Sequence, residues 1–472
     1  MTQLGRIEFA RAGGRLNTDF IDNSAGVDCS DHEVNIKILL NQAMRSGAID
    51  AEQREKLLAR MTDEVSELVL RSNYLQTQAL SMMERLSGPR IGAKQHFISV
   101  LESEGQIDRE LEGLPDDEEL HDRRQRGLGL TRPELSVLLS YSKIRLYRQL
   151  LDSDVPEDPY LSRELRDYFP TPLREEFAQF MPEHRLKREI IATQVTNSLV
   201  NRMGVSFVMR MREDTSATPG EVARAYTIGR ELVDARAFWA QLEGLDARVD
   251  AEMQTRARLV MWNLLRRITR WIAAHPGHDL DIQCILDQLK PGMAIMREHF
   301  HSLMSAQEQA AIEHRAAEYL EAGFPRELAL RIAELPELAD VLDIVETAAQ
   351  RELDVRRVAK VFFSLGNTLG LRWIGRQVEG LPAQGQWQAQ ARGNLRQELF
   401  EHQRALAAQV LDQYMDEPDA VKSWSERHGF DVERFGELVE SMRALPAMDY
   451  ATLSVAVRSL AQLLSSAERN PA

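Results

Sequence analysis

Beyond residue 30 the apolar side chains recur almost without a break at spacings of three, four and seven, the period of a helix that buries one stripe. A chain patterned in this way can only close its core by packing helix on helix. Its 472 residues, 43% of them hydrophobic, suffice for two or three such cores. The pattern predicts helices from residue 30, from 51 to 86 with Leu57, Met61, Val65, Leu68 and Leu75 on one stripe, and from 131 to 151. Further helices are expected over 171–181, 185–203, 219–233, 246–274, 305–322, 336–350, 355–377, 386–414, 432–445 and 452–466. Two starts carry capping-box spacing, Ser30 with Glu33 and Thr131 with Glu134, the second with Pro133 in its opening turn.

The first thirty residues differ in kind. QLGRIEFARAGG reads as a helix stopped at Gly13 and Gly14, and RLNTDFID as a short extended run, with Leu16 to Ile21 as a strand. A lone strand leaves both edges unpaired, so this step implies a sheet whose other strands lie elsewhere and a chain cut from something larger. Asn23, Ser24, Ala25 and Gly26 then form a corner of small or turn-favouring residues between strand and helix. Such a corner is either a plain tight turn or, in an open α/β sheet, a place where a ligand meets backbone. The charged stretch LEGLPDDEELHDRRQRG is read as a solvated linker ending near Gly127. The expected fold is mainly α, a multi-helical region preceded by a short remnant of an α/β, Rossmann-like nucleotide-binding domain. Its parts are residues 1–30 as the remnant, 31–126 as helices adjoining a catalytic core, and 127–472 as an all-helical domain.

Charge and composition narrow the partners. With 58 Lys and Arg against 73 Asp and Glu, the net charge of -15 disfavours nucleic acid and anionic lipid. No apolar run approaches the roughly 20 residues of a membrane span, and two distant cysteines, Cys29 and Cys284, suggest no disulfide framework, so a cytoplasmic setting is expected. No G-x-G-x-x-G occurs, and near Gly127 and Gly129 the third position is Arg132, so a dinucleotide phosphate cradle must lie outside this sequence.

The stretch DNSAGVDCSDHEVNIKILL resembles the Asn-Ala-Gly-Gly-Val turn, with Ser shortly after, that ends the nucleotide-binding domain of glutamate dehydrogenases. It looks most like the large bacterial NAD-dependent members. GLGLTRPELSVLLSYSKIRL, HRLKREIIATQVTNSLVNRMG and VAKVFFSLGNTLGLRWI are similar to the same family, so the likeness spans the chain. The resemblance implies NAD as cofactor, with Asn23 against its nicotinamide half and Gly26 keeping the turn open for that ring. It implies L-glutamate or 2-oxoglutarate as substrate, with Ser30 donating to the side-chain carboxylate. A hydroxyl at a helix N-terminus suits an anion, but the same oxygen would also serve as an ordinary N-cap, and both roles stay open. Ser24 and Ala25 stand where the family usually has Ala and Gly. The family's catalytic lysine region has no counterpart here, so no catalytic residue is expected and the chain alone should not transfer hydride. An upstream catalytic portion of the same enzyme and a homo-oligomer are the implied partners. The competing expectation is a helical regulatory or oligomerisation module without catalysis of its own.

Other chemistry-bearing residues read as structural. Cys29 is expected to be a buried packing residue rather than a nucleophile, and residues 1–30 to be loosely held. His275, His278 and Asp279 with Cys284 lack zinc-finger spacing, so no metal site is expected. Arg256, Arg258, Arg266, Arg267 and Arg270, interleaved with Trp262 and Trp271, suggest an amphipathic helix whose arginines pair with acidic neighbours, the rival being a surface for an acidic partner, a nucleotide or nucleic acid.

Overall fold

The computed structural model describes residues 1–274, 280–382, 386–414 and 417–469. His275, His278 and Asp279 lie outside the described residues. Among the described residues every long element is a helix and none is a strand. In chain order these are α1 (Gln3–Arg11), α2 (Asp19–Asp22), α3 (Ser24–Arg45), α4 (Ala51–Arg85), α5 (Ile91–Ser103), α6 (Asp117–Gln125), α7 (Arg132–Leu151), α8 (Ser162–Tyr168) and α9 (Thr171–Glu176). They continue as α10 (Lys187–Met203), α11 (Phe207–Thr215), α12 (Pro219–Leu232), α13 (Ala235–Glu243), α14 (Ala251–Ala274), α15 (Ile282–Leu303), α16 (Ala306–Glu321) and α17 (Arg326–Glu334). The remainder are α18 (Val341–Gln350), α19 (Val355–Thr368), α20 (Leu371–Gly380), α21 (Gln386–Tyr414), α22 (Ala420–Arg427), α23 (Gly429–Arg443) and α24 (Tyr450–Arg469). None of the described helices is long and apolar enough to cross a membrane. Two compact units form, one of residues 1–229 and 254–283, the other of 230–253 and 284–472.

In the first unit α4 packs against α3 and α7, and α10 packs against α4, α7 and α8. The long helix α4 starts where its chemistry dictates: Asp50 Oδ1 accepts from Gln53 N at 2.8 Å while Gln53 Oε1 accepts from Asp50 N at 2.9 Å, so two orphan donors are satisfied. Leu57 and Met61 of its expected stripe are buried, with Val69 below them, while Val65, Leu68 and Leu75 are half-buried. The start of α7 follows the Thr131 and Glu134 pattern, Glu134 Oε2 accepting from Thr131 N at 2.6 Å and from its hydroxyl at 2.9 Å.

The second unit builds its core from α18, α19, α21 and α24, with α20, α22 and α23 around them. Phe300 and Phe363 meet edge to face at 6.2 Å, and Trp424, Leu342, Leu406 and Leu460 are fully enclosed. A Cβ at Gly292 would stand 2.6 Å from Val345 Cγ1, so α15 approaches α18 only because that position has no side chain.

Four expectations change. The run from Leu16 to Ile21 is not a strand: Thr18 and Ile21, each 1% exposed, are buried three residues apart, and Ile21 N and Asp22 N both bond Thr18 O at 3.1 Å. That is one helical turn, α2, so the remnant of an α/β sheet has no strand to represent it. Nor are the opening residues a detached tail. Ile7 is 2% exposed, α1 packs on α7, and Arg132 holds Asn17 Oδ1 at 2.9 Å. The charged stretch before Gly127 carries α6, capped by Asp116 and anchored by fully buried Leu120. Finally, helix α3 starts at Ser24, six residues before Ser30.

Candidate functional site

Helix α3 has two faces of opposite character. Asp28, His32, Asn35, Ile36 and Leu39, spaced by three or four, turn toward α4 and the α8 to α10 region, His32, Asn35, Ile36 and Leu39 being buried. Asn23, Val27, Ser30 and Val34 have the same spacing on the other side, and all four are exposed. Val27 is 77% and Val34 50% exposed, and Phe20 on the preceding turn 49%.

The inner face is fastened by a polar cluster. The His32 ring stacks on Tyr168, centroids 4.4 Å apart and planes 14° from parallel. The Tyr168 hydroxyl donates to Asp31 Oδ2 at 2.9 Å and accepts from Asn35 Nδ2 at 2.9 Å. His184 accepts from Leu186 N through Nδ1 at 3.1 Å, which leaves Nε2–H to donate to Asn35 O at 3.1 Å and fixes the neutral tautomer. Burial pulls His184 below the ordinary histidine range. Burial likewise lowers His32, opposed by Asp28 and Asp31, and raises Asp28, opposed by His32 and by a hydrogen bond from Ser72. Lys143 faces Asp28 and is pushed down to about 7 by burial. Desolvation thus acts against the charged form of each of these three groups. At the upper end of the face, Asn73 Nδ2 donates to Ile21 O at 2.7 Å and to Ser24 Oγ at 3.0 Å, locking the α2 to α3 corner onto α4.

Against this geometry the three residues singled out from sequence come together on the outward face, but not in the local structures expected. Asn23 occupies the junction between α2 and α3, with φ -112° and ψ 30°. Gly26 lies in the first turn of α3, and a Cβ there would meet nothing within 4 Å. Ser30 lies well inside the helix, its hydroxyl donating back to Gly26 O at 3.3 Å. The capping box with Glu33 does not form, because α3 has already started at Ser24, and Glu33 pairs with Lys37. The helix-dipole argument for Ser30 therefore lapses, and any anion contact must come from its hydroxyl alone. Cys29 is exposed, not a buried packing residue. The Asp28 to Asn35 cluster escaped sequence reading although its helical spacing is visible; Tyr168, His184 and Lys143 are brought in by packing alone. Among the described residues no group of three or more His, Cys, Asp or Glu could hold a metal ion.

Similarity to known proteins places the chain in a family. The chain belongs to the family described as glutamate dehydrogenase, C-terminal, whose model matches residues 127–462. At its other end, residues 1–83 match the model described as bacterial NAD-glutamate dehydrogenase, catalytic domain. It is 43% identical over 472 residues to the NAD-specific glutamate dehydrogenase of Pseudomonas aeruginosa, covering 99% of this chain and 29% of that protein. The NAD-specific glutamate dehydrogenase of Halomonas elongata is 43% identical over 469 residues and that of Mycobacterium tuberculosis 32% over 474, with the same 99% and 29% coverage. The chain thus spans 29% of the length of the relatives it matches.

Proposed function

We propose that this chain is part of an NAD-dependent glutamate dehydrogenase, converting L-glutamate, NAD and water to 2-oxoglutarate, ammonia and NADH together with an upstream catalytic portion that holds the cofactor cradle and the catalytic lysine. In that assembly the α3 face closes one side of the cleft. Asn23 meets the nicotinamide half of NAD, Gly26 lets the ring come close, and Ser30 donates to the substrate's side-chain carboxylate. The remaining helices buttress the catalytic core and supply contacts for a homo-oligomer.

One observation carries this reading: Asn23, Val27, Ser30 and Val34 form a single exposed stripe on a helix whose opposite face is rigidly pinned. Exposed valines mixed with small polar groups are the surface of a helix that packs against something apolar while offering a few hydrogen bonds. Gly26 adds to it, because glycine inside a helix costs about 1 kcal/mol relative to alanine, and among the described residues nothing lies within 4 Å of where its Cβ would stand. The Ser30 hydroxyl needs only to rotate away from Gly26 O to meet a carboxylate, so it can bind without rearranging the helix.

The test is steady-state kinetics of the assembled enzyme carrying Ser30→Ala. Loss of one hydrogen bond to a charged group predicts a glutamate KM raised roughly 10-fold or more with the NAD KM unchanged. Unchanged glutamate kinetics would remove Ser30 from the site.

A further inference from the structure

The first unit holds a cleft that the dehydrogenase reading does not use. Arg90, Lys94, Arg210, Trp262 and Arg266 line it, with Asp214 as its carboxylate, around a cavity of about 40 Å³. Trp262 is the fixed wall: the residue is 7% exposed and its Nε1 donates to Met203 O at 2.8 Å. The Arg90 guanidinium lies over that ring at 4.4 Å and that of Arg266 at 5.8 Å.

The charges here are arranged against themselves. Lys94 is 4% exposed, and its Nζ donates to Leu86 O at 3.0 Å, one bond for a group with three donors. Arg266 Nε is shut off from solvent and has no hydrogen-bond partner. Burial, reinforced by Arg90, Arg210, Arg267 and Arg270, drives Arg266 down to about 9. Burial with Arg90 and Arg210 brings Lys94 down to about 7. A protein that gathers like charges around a cavity, leaving buried donors unused, gains most when an anion enters.

We propose that this cleft binds a small phosphoryl oxyanion, either inorganic phosphate or the headgroup of a phosphomonoester. Size sets the limit: at about 10–15 Å³ for each water-sized probe, the cavity admits roughly three waters' worth of ligand, a headgroup rather than a whole dinucleotide. Charge sets the class. A phosphoryl group brings close to two negative charges and three acceptor oxygens, matching several converging cations where a single carboxylate would neutralise one. Arg210 and Arg266 offer fork-like donors, Lys94 a point charge, and Trp262 an apolar wall for the ester group.

The proposal is independent of the Ser30 reading and fails separately from it. The measurement is the melting temperature of the protein titrated with inorganic phosphate or methyl phosphate, against sodium chloride at equal ionic strength, with affinities by calorimetry. Phosphate should raise the melting temperature where chloride does not, and Arg210→Met and Arg266→Met should each weaken binding roughly 10-fold or more. Circular dichroism of both variants checks that the helices survive; Arg210 is only half-buried, so its variant keeps the test alive should Arg266→Met unfold. Methyl phosphate binding as well as phosphate assigns the source to an ester, and binding of phosphate alone assigns it to the free ion. Equal shifts with chloride, undiminished binding in both variants, or tighter binding of glutarate than of phosphate would each overturn it.

Discussion

Ser30 and Lys94 show how a single side chain's surroundings decide its chemistry. Ser30 was visible in the sequence as a hydroxyl near a small-residue corner, but its place in the helix was not, because Asn23 and Ser24 start α3 earlier than the capping pattern suggests. Its expected kinetic effect now rests on a freely rotating donor, not on the helix terminus. Lys94 was not legible at all: nothing in IGAKQHFISVLES distinguishes it from a surface lysine, and only packing makes it 4% exposed. Its folded amine, facing Arg90 and Arg210, loses its proton near pH 7, whereas the unfolded amine keeps it until about 10.5. Between those values the unfolded state binds more protons, so stability rises with pH; below 7 the full cost of the buried charge is present. At about 1.4 kcal/mol per pH unit, the gap between about 7 and 10.5 makes that cost on the order of 5 kcal/mol. Lys94→Met should therefore melt higher than the parent at pH 7, and the gap should close toward pH 10. A lysine variant that is neutral or destabilising at pH 7 would show that the amine is compensated in the folded protein.

Elements were legible wherever their ends carry local chemistry. Thr131, Pro133 and Glu134 gave the start of α7 directly, because those hydrogen bonds depend on three neighbouring residues. Residues 16–21 misled because alternating character over a few residues does not separate a strand from a single helical turn, and the deciding contacts, Asn73 to Ile21 O and Arg132 to Asn17, come from distant helices. The charged stretch before Gly127 misled for a related reason: its Arg123 is fully engaged, binding both oxygens of Glu134 at 2.8 and 2.9 Å, and Glu134 is 0% exposed. Thr131 also donates to Oε2, but without Arg123 this enclosed carboxylate loses its bidentate counter-ion. Arg123→Met should cost about 3–5 kcal/mol, read as a lowered urea midpoint, by leaving Glu134 charged and partly unpaired. Gly129→Ala tests the same joint sterically, since the added Cβ would fall 2.6 Å from Gly88 N and 2.5 Å from Ser87 Cβ, and it should destabilise by about 1–3 kcal/mol. A fully wild-type midpoint in either variant would mean that α6 and the Gly129 turn are not part of the cooperative core.

At the scale of the molecule, the helical period announced the class of fold, but the sequence pattern does not show which helical faces stay uncovered. That information lies in burial, which on α3 leaves Val27 and Val34 uncovered. The inner row of that helix is held by His32, Asn35 and Leu39, so substitutions on the outer row should leave the chain's own stability untouched. Val27 and Val34 are therefore clean probes of the proposed docking of this face on the catalytic portion. A carboxylate placed in an apolar contact must be desolvated without a partner, a penalty of several kcal/mol at a buried interface and almost none in water. Val34→Asp and Val27→Asp should accordingly unfold at the parent's denaturant midpoint while losing affinity for the separately expressed catalytic portion by roughly 100-fold, with turnover lost in parallel. Sedimentation and complementation assays read the two effects apart. Should the doubly substituted protein assemble and turn over like the parent, the α3 face would be an ordinary solvent surface, and the stripe of Asn23, Val27, Ser30 and Val34 would have no bearing on the cleft.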